Sequence, residues 1–128
     1  MMKWLGIMLV LLILFSCSNS KDSLYHRLET YMKENSLYVD RIMFYNLDEC
    51  MSCQVLFVEK ARQFAETNGL LVLITKHEKK PELMFGKNIQ NISIDNTRLA
   101  KELNLEKGLP VIYIIKSNDL VDSLPVYP

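Results

Sequence analysis

The chain has 128 residues, with 15 Lys and Arg against 15 Asp and Glu, two His, three Cys, and four each of Gly and Pro. That length holds one domain. The even charge leaves no basic surplus to displace counterions from phosphates, which argues against nucleic acid as a partner, and the low Gly and Pro content excludes collagen-like and Pro/Gly-rich disordered chains.

The chain opens on an apolar run. Residues 4–15 contain one Gly and no charge, with Lys3 before them and Ser16-Cys17-Ser18-Asn19-Ser20 after them. A spanning helix needs about 20 apolar residues to cross about 30 Å of hydrocarbon, so this run is too short. A positive start, an apolar middle and a small polar end predict a secretory signal peptide over residues 1–16. A buried N-terminal helix fits less well, because the run has no polar stripe to face water.

The end of this leader resembles the lipobox of bacterial lipoproteins, through Leu14, Ser16 and Cys17; Phe15 departs from the small or β-branched residue usual in its slot. The resemblance implies that Cys17 is acylated and that residues 17–21 form a lipidated tether. It also implies a location in the bacterial cell envelope, at a membrane and facing the periplasm or the outer surface. Buried acyl chains contribute about 0.8 kcal/mol per methylene to such an anchor. A plain signal peptide is the alternative. Removing residues 1–16 leaves 112 residues with 14 positive and 15 negative side chains. A domain over residues 22–128 can then bury about two-thirds of its unfolded surface.

Along the mature chain two hydrophobic periods alternate. Asp22 or Ser23 is a candidate cap for a helix with Leu24, Leu28, Tyr31 and Met32 at helical spacing, ending near Leu37. Residues 41–47 hold Ile42, Met43, Phe44 and Tyr45 and predict a buried strand. A helix of about fifteen residues follows the remaining two cysteines. Phe57, Val58, Ala61, Phe64 and Ala65 form its apolar face, Glu59, Lys60, Arg62, Gln63 and Glu66 its polar face, and Gly69 stands at the expected C-terminal cap.

Residues 70–75 are a second apolar run, and two buried strands separated by a helix predict a parallel βαβ unit. Residues 76–88 read as a polar connection with one turn of helix, in which Lys76 to Lys80 form a solvated stretch. Residues 89–94 predict a short strand. Asp95 then caps a helix carrying Leu99, Ala100 and Leu103, which stops at Lys107-Gly108. Residues 111–115 predict a strand, Asn118-Asp119 a tight turn and residues 120–124 an antiparallel partner. The fold class is α/β, a central mixed sheet flanked by helices.

With Cys17 assigned to lipid, Cys50 and Cys53 remain as a pair in a compartment where disulfides persist. Cys50-Met51-Ser52-Cys53 falls where the first strand meets its helix. Two thiols at this spacing close a small disulfide ring, and the positive end of the helix dipole favours a thiolate on Cys50, with Cys53 as the resolving thiol. Zinc sites and structural bridges use the same spacing. A zinc site needs two further ligands, and His26 and His77 stand alone, so neither a metal nor a cofactor is expected.

The arrangement resembles the thioredoxin-like proteins, and more closely the TlpA-like thiol:disulfide oxidoreductases of the bacterial envelope. The resemblance spans residues 41–124. It rests on the strand into Cys50-Met51-Ser52-Cys53, the helix and strand to Thr75, the helix over residues 95–105, and Gly108-Leu109-Pro110 opening the next strand. It implies a thioredoxin-like fold with a cis Pro110 against the cysteine pair and with Leu109 as the adjoining substrate-contacting residue. Cis is cheap only at X-Pro bonds, about 0.5–1 kcal/mol above trans, and a trans Pro opening the strand is the other reading.

The chain departs from the family in several places. Glu49 replaces the usual aromatic residue before the first Cys, Met51-Ser52 lacks the common Pro, and Phe44 stands where many relatives bury an acid. No final helix is legible after residue 124. Asp48 and Glu49 also place negative charge beside Cys50, which opposes thiolate formation.

The resemblance implies exchange of disulfides with protein thiols through Cys50 and Cys53, without a cofactor, and a membrane-embedded reductant to recharge a reducing enzyme. Two rivals are a lipid-anchored binding module with a structural disulfide, and a thiol peroxidase of the peroxiredoxin branch.

Overall fold

A computed structural model of the chain describes residues 23–49, 54–67, 69–88, 90–117 and 120–127. The leader, Cys17 and the tether lie outside the described residues, as do Cys50, Cys53 and the Asn118-Asp119 turn.

Helix α1, Leu24–Glu34, begins at Ser23, whose side chain accepts a hydrogen bond from the His26 amide at 3.1 Å. It stops before Leu37, with Ser36 at φ 54. Strand β1 is Arg41–Asn46, and α2, Gln54–Glu66, follows it. Next come β2, Leu70–Ile74, the short α3, Lys80–Phe85, and β3, Ile92–Asp95. A single turn, α4, Leu99–Glu102, precedes the hairpin of β4, Val111–Ser117, and β5, Leu120–Pro125.

The five strands form one mixed sheet in the order β3-β2-β1-β4-β5. β1, β2 and β3 run parallel, joined through α2 and α3, whereas β4 lies antiparallel on the other side of β1. β1 is therefore the central strand, and its carboxyl end leads directly into the cysteine segment.

Side chains alternate across a strand, so the apolar runs of β1 and β2 feed two separate cores. Met43, Tyr45, Leu71 and Leu73 pack with Phe57, Ala61, Phe64 and Ala65 of α2 and with Phe85. Ile42, Phe44, Val72 and Ile74 pack with Leu28 and Tyr31 of α1 and with Ala100, Leu105 and Tyr113. Covering both faces explains why these strands lack polar alternation. Edge-to-face contacts order each layer, with Tyr31 to Phe44 at 5.0 Å and Tyr45 to Phe57 at 6.3 Å between ring centroids. Burial pushes the Tyr45 phenol up to about 12. After β5, Val126 turns back into the α2 layer, and the Lys60 ammonium donates to the Tyr127 carbonyl.

Two expected helix signals act differently. Asp95 ends β3 instead of capping a helix, and it is buried. One carboxylate oxygen accepts from the Tyr31 hydroxyl at 2.8 Å and the other from the Thr97 amide and hydroxyl. Burial, then this bond to Asp95, pushes the Tyr31 phenol far above its ordinary range. The following helix shrinks to one turn headed by Arg98, which adopts a left-handed conformation at φ 67 with no side-chain cap.

Gly69 is likewise no left-handed cap. A Cβ there would meet the Phe64 ring at 2.3 Å, so the position needs glycine for close packing against α2. We expect Gly69→Ala to destabilise the fold by about 1–3 kcal/mol through overpacking. This is measurable as a lower urea midpoint at unchanged m-value, and adding Phe64→Leu should return part of the loss.

Candidate functional site

The segment entering Cys50 is held by the connection that follows β2. Leu47 is buried, and its amide donates to the Ile74 carbonyl at 2.9 Å, extending the β1–β2 pairing by one residue. Asp48 then turns toward the loop beyond β2. Its carboxylate accepts from the Thr75 hydroxyl at 2.7 Å and from the Lys76 amide at 2.8 Å. Lys80 of α3 donates to the Leu47 carbonyl at 2.6 Å and lies 3.5 Å from the Asp48 carboxylate.

Partial burial raises the Asp48 pKa, but the Lys76 amide, the Thr75 hydroxyl and the positive charge of Lys80 outweigh it, and the net shift is downward. Glu49 pairs with Lys101 of α4 at 3.0 Å. Both acidic residues that flank Cys50 thus have cationic partners. Lys80, expected in a solvated stretch, is instead largely buried because it bridges a carbonyl and a carboxylate.

The start of β4 approaches the same end of the sheet. β1 and β4 pair with Phe44 opposite Val111, the residue after Pro110, and Leu109 forms an isolated bridge with Lys107. The turn before them depends on Gly108, at φ 89, a conformation that L side chains rarely adopt. Its amide donates to the buried Glu106 carboxylate at 2.6 Å. Leu109 is 48% exposed, while Pro110 is buried.

The expected cis bond is absent: the Leu109–Pro110 peptide is trans. The Pro110 carbonyl accepts from the Val126 amide at 3.0 Å, so Pro110 continues the β4–β5 pairing as an extended residue, at a position where its missing N–H is not required.

On the other side of β1 an open cleft of about 360 Å³ lies across the carboxyl ends of the three parallel strands, bounded by Asp48 and Glu49, Thr75 and Lys76, and Arg98 and Lys101. Such crevices are where open α/β sheets commonly bind ligands.

The predicted residues Leu109 and Pro110 therefore enter β4 near the carboxyl end of β1, whereas Cys50 and Cys53 lie outside the described residues. Phe44 is packed between Tyr31 and Tyr113. The sequence reading missed Thr75, Lys80 and Lys101. A Thr ending an otherwise apolar strand was the one available signal, while the lysines carried none. Among the described residues no cluster of His, Cys, Asp and Glu could hold a metal ion, and no helix is long and apolar enough to cross a membrane.

Comparison with known protein families, with curated proteins and with solved structures finds no match.

The Asp48 contacts make stability depend on pH. Its folded pKa is depressed, so its contribution is present above the unfolded value of about 3.9 and is lost as pH falls through the folded value. Asp48→Asn should lower the urea midpoint at pH 7, and the gap to the unchanged protein should narrow at pH 3. A gap that stays constant with pH would contradict ionic anchoring.

Proposed function

We propose that this chain is a thioredoxin-like thiol:disulfide oxidoreductase of the bacterial cell envelope, anchored through lipid on Cys17. The observation that supports the reading is that Cys50-Met51-Ser52-Cys53 falls in the sequence between Asn46, which ends β1, and Gln54, which opens α2. The segment joins the central strand of a mixed sheet to the helix packed on it, and Leu109-Pro110 opens the neighbouring strand at the same end.

In the proposed reaction the Cys50 thiolate attacks one sulfur of a partner disulfide. A Cys50–partner disulfide forms, and the partner's other sulfur leaves as a thiolate that takes up a proton. Cys53 then loses its proton, attacks the Cys50 sulfur and releases the second partner thiol. Two electrons and two protons pass to the partner, and a Cys50–Cys53 disulfide remains. A membrane-embedded reductant returns those electrons on the reducing branch; the reverse sequence oxidises a dithiol partner.

The cation partners of Asp48 and Glu49 support this reading, because they offset the local negative charge that would oppose a Cys50 thiolate. The trans Leu109–Pro110 bond favours a second reading, a lipid-anchored binding module with a structural Cys50–Cys53 bridge.

Dithiothreitol-driven insulin reduction separates the two. Cys50→Ser should reduce turnover by at least about a hundredfold, and Cys53→Ser should accumulate a mixed disulfide with the substrate. Turnover indistinguishable from that of dithiothreitol alone, in the unaltered protein, would establish the binding module instead.

A further inference from the structure

The cleft beyond β1 offers more than a border to the cysteine segment. All three carboxylates that line it are already engaged. Asp48 is held by Thr75, Lys76 and Lys80, Glu49 by Lys101, and Asp95 by Tyr31 and Thr97. The cations are not matched in the same way. Lys76 and Arg98 line the cleft, and among the described residues neither side chain makes an ion pair or a hydrogen bond. Arg98 is exposed and adopts a left-handed backbone conformation at φ 67, a region that most side chains disfavour. Glu49, covalently next to Cys50, forms part of the same wall.

The geometry points to an anion subsite in this cleft: Lys76 and Arg98 receive a carboxylate carried by the disulfide substrate, close to the sulfur that Cys50 attacks. The inference rests on the oxidoreductase reading and names its substrate class, disulfides with a carboxylate a few bonds from the reacting sulfur. A planar guanidinium and an ammonium each suit a carboxylate, and a cleft of about 360 Å³ admits a small acid or one acidic side chain but no folded domain. It lies on the side of β1 opposite β4, the strand that Leu109 and Pro110 lead into. The exchange step is unchanged: Cys50 attacks the sulfur of the acidic half, the other sulfur leaves as a thiolate that takes up a proton, and Cys53 then loses its proton, attacks the Cys50 sulfur and releases the acidic thiol.

The test compares three symmetrical disulfides of similar size and different charge: 3,3′-dithiodipropionate, 2-hydroxyethyl disulfide and cystamine. Each rate is normalised to exchange with 2-mercaptoethanol to remove intrinsic reactivity. At low ionic strength the reduced protein should prefer the dicarboxylate over cystamine by at least about fivefold, and added salt should weaken the preference. Lys76→Gln with Arg98→Asn, the Asn tolerating positive φ, should abolish it. An absent preference, or one that survives in this variant, overturns the subsite.

A second measurement needs no redox activity. Suberate, the all-carbon counterpart of the dicarboxylate, should shift the amide resonances of Lys76, Asn96 and Arg98 in the unaltered protein and not in the variant. Suberate shifts without exchange of any disulfide would retain the anion site and sink the oxidoreductase reading. Equal exchange of all three disulfides without suberate shifts would do the reverse. Hexapeptide disulfides with Asp or Lys beside the cysteine separate the sources. A preference for Asp assigns the carboxylate to polypeptide substrates, and a preference confined to the small disulfide assigns it to a low-molecular-weight acidic thiol.

Discussion

Asp48 sits one residue beyond a buried strand end and two before the first thiol, where its carboxylate must be either solvated or matched. It is matched, by a hydroxyl and an amide from the end of β2 and by an ammonium from α3. Charge-assisted hydrogen bonds are roughly twice as strong as neutral ones, and two of them, joined by the Lys80 ion pair, converge on one side chain. The chain leaving β1 is thereby tied to the chain leaving β2. The candidate cleft, the approach of α3 and the direction of the backbone into the cysteine segment all depend on that tie.

Two acids directly before a cysteine raise its pKa when they stand alone. Asp48 and Glu49 precede Cys50 in the chain, and pairing them with Lys80 and Lys101 balances their charge; on the oxidoreductase reading, the positive end of α2 then has less to overcome in forming a Cys50 thiolate. In the proposed enzyme the lysines therefore matter as much as the cysteines, because they set how readily a thiolate forms. Lys76 and Arg98, which pair with no carboxylate among the described residues, are the groups that the proposed anion subsite offers a substrate.

The fold was legible where apolar residues repeat without interruption. Ile42 to Tyr45 and Leu71 to Ile74 announce strands covered on both faces, and Phe57, Ala61 and Phe64 announce the helix between them. Legibility failed where one residue serves two purposes. Asp95 has the chemistry of a helix cap but is consumed by Tyr31, 64 positions away in sequence, so the turn after it starts without the expected cap. Gly69 has the chemistry of a helix stop but answers to the Phe64 ring. Pro110 stands where the resemblance implies a cis bond, yet its carbonyl serves the hairpin with Val126 in a trans chain. The ion pairs from Lys80 and Lys101 join segments 32 and 52 residues apart, a range over which no local pattern carries information.

In the proposed enzyme a clamped strand end presents an accessible, acidic thiol, which the pH dependence of iodoacetamide alkylation of the reduced protein measures, with mass spectrometry to identify the modified sulfur. Cys50 should react first, with an apparent pKa below the ordinary thiol value of about 8.5, and Cys53 more slowly. Alkylation of either sulfur only upon unfolding, or a Cys50 pKa above that ordinary value, would contradict it.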